Sequence, residues 1–209
     1  MSKYILGLIT RGEHQNQDFK FEINDARKIA ITLVAFSNAD GGKLLIGVKD
    51  NGKIAGVRTE EEYYMIEAAA SLYCKPQIKF NLKKWSVQGK TVLEVDIPKG
   101  RNRPYFAKTH QNKWVPYIRV NDRNCLANSI QVRVWKNEKR KKGVFIEFTE
   151  KEKILLDYLR TDSISLSQYS KISGLNRKKA SNVLVRLINL GVIEIHYGER
   201  EIRYKLRVK

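Results

Sequence analysis

AFSNADGGKLLIGVKDNGKIAGV, residues 35–57, packs a helix end, a glycine turn, a buried strand and a hairpin into 23 residues. Running into it, Ile29, Ala30, Leu33, Val34 and Phe36 recur at helical spacing, which predicts a helix that Asn24 would cap. Gly41 and Gly42 should end that helix, because glycine takes positive φ without a Cβ clash. Leu44 to Val48 is almost wholly apolar and too short for a helix, which predicts a strand covered on both faces. Asp50-Asn51-Gly52 then signals a hairpin turn. A phosphate-cradling loop would need G-x-x-x-x-G-K-[ST]. Gly41-Gly42-Lys43-Leu44 lacks both the distant first glycine and the hydroxyl for magnesium, so the chain does not read as an ATPase.

Working outward, Thr59 to Glu62 reads as a capping box opening a helix through about Tyr73, closed by Lys75-Pro76. Gln77 to Val87 and Thr91 to Ile97 alternate around a Gln88-Gly89-Lys90 turn, and residues 105–108 and 113–120 look extended. These elements predict a mixed α/β domain within an α+β chain.

With GEHQNQDFKF at residues 12–21 ahead of the helix and PYIRVNDRNCLA at residues 116–127 behind the sheet, this order of elements resembles the Schlafen AlbA_2 domain over roughly residues 6–135. That family includes bacterial proteins named as transcriptional regulators, older names being divergent AAA or ATP-binding proteins. It also includes nucleases that hold three carboxylates at a metal site. The resemblance places that cluster at Glu13, Asp18 and Asp50, followed by Lys20, and implies Mg²⁺ or Mn²⁺ held by oxygen ligands for phosphodiester hydrolysis, RNA being the first substrate to test. Spacing alone does not imply convergence, since residues five apart on a strand point to opposite faces. Two departures stand out: Asp18 occupies a position where the family usually has Glu, and Lys49 one where a second acid is common. Lys49 could contact a phosphate instead. The plainer alternative has Asp50 bonding its own turn, with Glu13 and Asp18 solvated or paired with lysines.

The chain has 209 residues, 42% hydrophobic and 30% charged, enough for one good core or two small ones, and two is the reading adopted. A net charge of +18 and a pI near 9.9 point to a polyanionic partner. No stretch approaches the roughly 20 apolar residues of a membrane span, and the start MSKYILGLITRGEHQ lacks signal-peptide architecture, so a cytoplasmic location is expected. Cys74 and Cys125 stand apart without a C-x-x-C, and His14, His110 and His196 are scattered, which argues against a disulfide framework, a zinc site and acyl-transfer chemistry. Between residues 99 and 123, Lys99, Arg101, Arg103, Arg119 and Arg123 interleave with Tyr105, Phe106, Trp114 and Tyr117. The arginines read as phosphate contacts and the aromatics as sheet core, with base stacking the competing reading for the rings.

The last third restarts after the basic stretch NEKRKKG at 137–143. Val144 to Phe148 leads into a second capping box, Thr149 to Glu152, whose helix should reach Leu159. Ser165 to Ile172 forms a short helix ended by Gly174, and Asn176 caps a third that Gly191 ends. Two alternating strands around residues 197–200 complete a winged helix-turn-helix, similar to MarR-like regulators, whose third helix enters the major groove. Its polar face carries Asn176, Arg177, Lys178, Lys179, Ser181, Asn182 and Arg186, and the wing adds Arg200 and Arg203. The expected organisation is an AlbA_2-like domain at 1–135, a basic linker at 136–147 and a winged helix at 148–209. The expected function is nucleic-acid binding, as a dimeric transcriptional regulator that favours duplex DNA and needs no cofactor to bind. A metal-dependent nuclease and a protein-interaction adaptor are the alternatives.

Overall fold

A computed structural model describes residues 2–57, 61–138 and 148–207. The predicted cap at Thr59 and residues 139–147 of the predicted linker lie outside the described residues. The chain divides into two compact units, Met1–Ala127 and Asn128–Lys209.

The first unit runs α1 (Ser2–Arg11), β1 (Gln17–Lys20), α2 (Ala26–Asn38), β2 (Gly42–Ile46), α3 (Glu61–Leu72), β3 (Cys74–Lys75), β4 (Asn81–Val87), β5 (Lys90–Ile97), β6 (Phe106–Lys108), β7 (Trp114–Val115), β8 (Tyr117–Val120) and β9 (Arg123–Leu126). Its main sheet has the order β1-β2-β5-β4. β1 and β2 are parallel, with Asp18 opposite Leu44, and α2 is the crossover between them. β2, β5 and β4 are antiparallel.

Alternation along β2 sends its residues to two cores, as expected for a strand covered on both faces. Leu44 and Ile46, with Leu93, Val95 and Ile97 of β5, meet Ile29, Leu33 and Phe36 of α2 and Ile66 and Ala69 of α3. Leu45 faces the other way, with Phe19, Val87 and Val92, against Ile5 and Leu8 of α1. α1 is therefore a third layer, beyond the elements expected from the sequence. Glu94 points into that layer at 2% exposure and is fully engaged: Tyr4 donates to it at 2.8 Å, Trp85 at 2.8 Å and Lys43 at 2.7 Å. Burial works against the charge, but these donors prevail and hold the Glu94 carboxyl below its ordinary pKa.

Three local details differ from expectation. Asp25, one residue after Asn24, caps α2 by accepting from the Arg27 N–H. Of the paired glycines, Gly41 takes positive φ (78°), whereas Gly42 is needed for space: a Cβ there would stand 2.6 Å from the Phe36 ring and 2.8 Å from the Asn16 carbonyl oxygen. In the hairpin after β2 the Asn51 side chain, rather than Asp50, accepts from the backbone, at Lys53 N–H.

Two smaller sheets complete the unit, β3-β6-β7 and the β8-β9 hairpin, both packed against α2. Cys74 on β3 is 3% exposed, and burial pushes its thiol up to about 12.

The second unit contains α4 (Ser129–Glu138), α5 (Glu150–Leu159), α6 (Leu166–Ser173), α7 (Arg177–Asn189) and an antiparallel hairpin of β10 (Ile193–Tyr197) and β11 (Ile202–Leu206). Capping boxes open α5 (Thr149 with Glu152) and α6 (Ser165 with Gln168), Gly174 closes α6 in the left-handed region, and Asn176 caps α7. α4 belongs to this unit, although residues 128–135 were expected in the first domain. Ile130 and Val134, four apart and so on one face, enter the same core as Leu155, Tyr169, Leu184 and Tyr204. Among the described residues no helix is long and apolar enough to cross a membrane.

Candidate functional site

Glu13, Asp18 and Lys20 gather at β1, the outer strand of the main sheet. Its even residues pair inward, with Lys43 N–H donating to Asn16 and Gly47 N–H to Lys20, so its odd residues face the free edge. There His14 both donates to and accepts from Gln17, the Glu13 carboxylate accepts from Phe19 N–H at 2.8 Å, and Lys20 Nζ donates to the Phe19 carbonyl at 2.7 Å. Asp18 is 3% exposed and held by two cations, Arg119 Nη2 at 3.1 Å from Oδ1 and Lys20 Nζ at 2.7 Å from Oδ2. The lysine contact is ionic, since Oδ2 has no hydrogen-bond partner. Burial raises the Glu13 pKa, as does the neighbouring Asp18 carboxylate, while the Phe19 N–H opposes both.

The structure thus brings Glu13 and Asp18 together but does not bring Asp50 to them. Among the described residues no three acidic, histidine or cysteine side chains form a group able to hold a metal, and Asp50 is exposed in its turn. The donor set fits a divalent ion poorly, since one of its two carboxylates is already neutralised by Arg119 and Lys20. The cluster as built fastens β1.

The predicted phosphate contacts separate by exposure. Arg119 is 2% exposed, and besides Asp18 it donates to the carbonyls of Gln17 and His14 and to Asn124, with its guanidinium 5.1 Å from the Phe36 ring centroid. It is an internal strut. Arg103 donates to the Asn38 carbonyl. Arg123 is exposed, Lys49 is exposed beside Phe21, and Arg101 stands with Lys79 and Lys99 around a cavity of about 480 Å³. Of the four aromatics, Tyr105 and Tyr117 pack on the core as expected and Phe106 is half-buried, but Trp114 is 40% exposed.

In the second unit Arg177, Lys178 and Lys179 are exposed across the first turn of α7, and Arg200 is exposed on the hairpin. Asn176 is occupied as the cap of α7. Ser181 is buried, and it and Asn182 accept from Arg133 of α4, at 2.8 and 2.6 Å. Arg186 is drawn inward to the buried carboxylate of Glu152 at 2.7 Å, and Arg203 is spent on Ser163, Glu201 and Asp162. Arg133 carries no signal in the sequence, because it lies 44 residues before Arg177. It joins Lys151, Lys179, Asn182 and Arg186 around a cavity of about 580 Å³ between α4, α5 and α7.

A parallel-edged mixed sheet with helices on both faces, followed by a small helical unit with a hairpin, defines an α+β protein with strongly cationic surfaces. The family model "Schlafen, AlbA_2" matches residues 13–128, more than half of the chain, and the protein belongs to that family. Among solved structures, the DIP2311 protein of Corynebacterium diphtheriae is similar at 21% identity and a TM-score of 0.47, covering 63% of this chain and 28% of that one. The N-terminal domain of a RecG-related protein from Nitrosomonas europaea is similar at 17% identity and a TM-score of 0.42, covering 71% and 97%. No curated protein matches the chain.

Proposed function

We propose that this protein is a cytoplasmic nucleic-acid-binding transcriptional regulator whose second unit acts as a winged helix-turn-helix on duplex DNA. The observation that carries this reading is the row Arg177, Lys178 and Lys179 at the N-terminal end of α7. All three are exposed, and no carboxylate neutralises any of them among the described residues. The N-terminal end of a recognition helix is where base edges and phosphates are met in this class of fold. Arg200 on the hairpin and Arg133 beside α7 extend the cationic face. A homodimer would present two such helices to half-sites about one helical turn apart.

The test is a salt series of duplex binding by the wild type and by a triple alanine variant at 177, 178 and 179. The log–log slope should flatten by about 0.9 for every phosphate that the variant no longer neutralises. An unchanged slope would remove α7 from the interface. The nuclease reading has one observation in its favour, the adjacency of Glu13 and Asp18, and Mn²⁺-dependent cleavage of tRNA by the wild type would revive it.

A further inference from the structure

The small sheet β3-β6-β7 turns one face to α2 and leaves the other open. Cys74 and Ala107, register partners, are 3% and 0% exposed and belong to the main core. Side chains alternate along a strand, so the residues one position on stand on the opposite, outer face: Lys75 paired with Phe106, and Lys108 paired with Trp114. Trp114 is 40% exposed, and the ammonium groups of Lys75 and Lys108 lie 6.0 and 5.9 Å from its ring centroid. Neither lysine has a carboxylate partner among the described residues. Lys108 N–H donates to the Tyr73 carbonyl, which ties β6 to the residue before β3, and the Arg27 guanidinium lies 5.1 Å from the Tyr73 ring centroid. Asp25, which pairs with His110 and so lies beside Arg27, is engaged by the Arg27 N–H and by His110.

We propose that this face binds single-stranded nucleic acid, an unpaired base stacking on Trp114 while Lys75 and Lys108 take the flanking phosphates. A broad indole on a strand held in register, between two unneutralised cations, matches a ring flanked by two anions. A paired duplex cannot use it, because its base faces are buried in its own stack. Duplex binding rests on α7 in the other unit, so the two sites stand or fall separately.

The experiment is fluorescence anisotropy of the full chain with a labelled oligouridylate, a labelled oligothymidylate and a blunt duplex. Trp114→Ala should weaken single-strand binding about tenfold, within the range set by the loss of one base stack, while Trp114→Phe retains most of it. Lys75→Ala with Lys108→Ala should flatten the salt slope for single strands by about 0.7 for every phosphate no longer neutralised. Duplex affinity should be unchanged in all of these, and the thermal melt of Trp114→Ala should overlay the wild type. Preference for uridylate or thymidylate assigns RNA or DNA as the source. The proposal is overturned if the wild type binds neither oligonucleotide, if Trp114→Ala leaves single-strand affinity intact, or if duplex affinity falls in parallel. Loss of duplex binding in the α7 variant with single-strand binding intact would leave this site standing whatever becomes of the regulator reading.

Discussion

Arg119 shows how far residue type and residue role can diverge. In sequence it sits among arginines and aromatics, the composition of a phosphate-binding surface; in the fold it is 2% exposed and bound to Asp18 and to backbone carbonyls on either side of the β1 turn. Burial of a cation depends on which carboxylate and carbonyls the fold brings to it, and local sequence does not encode that. Arg119→Ala leaves Asp18 buried with one cation fewer and should cost about 3 kcal/mol or more, read as a fall in the urea midpoint. Glu94 and Glu13 make opposite contributions to pH dependence. The folded-state pKa of Glu94 is lowered, so its stabilisation is complete above the ordinary value of 4.5 and is lost as pH falls through the folded value. Glu13 is raised, so its contribution is present below 4.5 and is lost as pH rises through the folded value. Urea midpoints followed from acid to neutral pH should therefore lose their acid limb in Glu94→Gln. In Glu13→Gln, which keeps an acceptor for Phe19 N–H, they should gain stability at neutral relative to acid pH.

At the scale of elements, the stretch at residues 35–57 announces helix, strand and turn because each is encoded locally: apolar spacing, an apolar run, a glycine-bearing turn. The capping boxes of the second unit are legible for the same reason, since Thr149 and Glu152 meet within one helical turn. α1 and α4 are not, because each is a ten-residue helix whose narrow apolar stripe has meaning only against the surface that covers it. The glycine pair is half legible. Conformational freedom explains Gly41, but Gly42 answers to the Phe36 ring beside it, a neighbour fixed only when α2 folds back on β2. Gly42→Ala should cost about 1–3 kcal/mol through overpacking, with a matching fall in melting temperature and little change in duplex affinity.

For the molecule as a whole, the division at Ala127 predicts how it can be cut. A fragment of residues 128–209 should melt cooperatively, whereas one starting at 148 loses Ile130 and Val134 from its core and should melt lower or not fold, as circular dichroism would read. The candidate site is legible in sequence as charge but not as geometry: a net charge of +18 announces a polyanion, yet which cations are free is decided by Asp18, Glu152 and Ser163, the acceptors that claim Arg119, Arg186 and Arg203. The closed edge of β1 has a further bearing on the protein at high concentration. The outermost strand of an open sheet is ordinarily where a second chain can be added, and proteins avoid that with charges and blocked backbone groups. Here the amides and carbonyls of Gln17 and Phe19 are taken by His14, Glu13, Arg119 and Lys20, so the side chains gathered at β1 also act as a guard against aggregation.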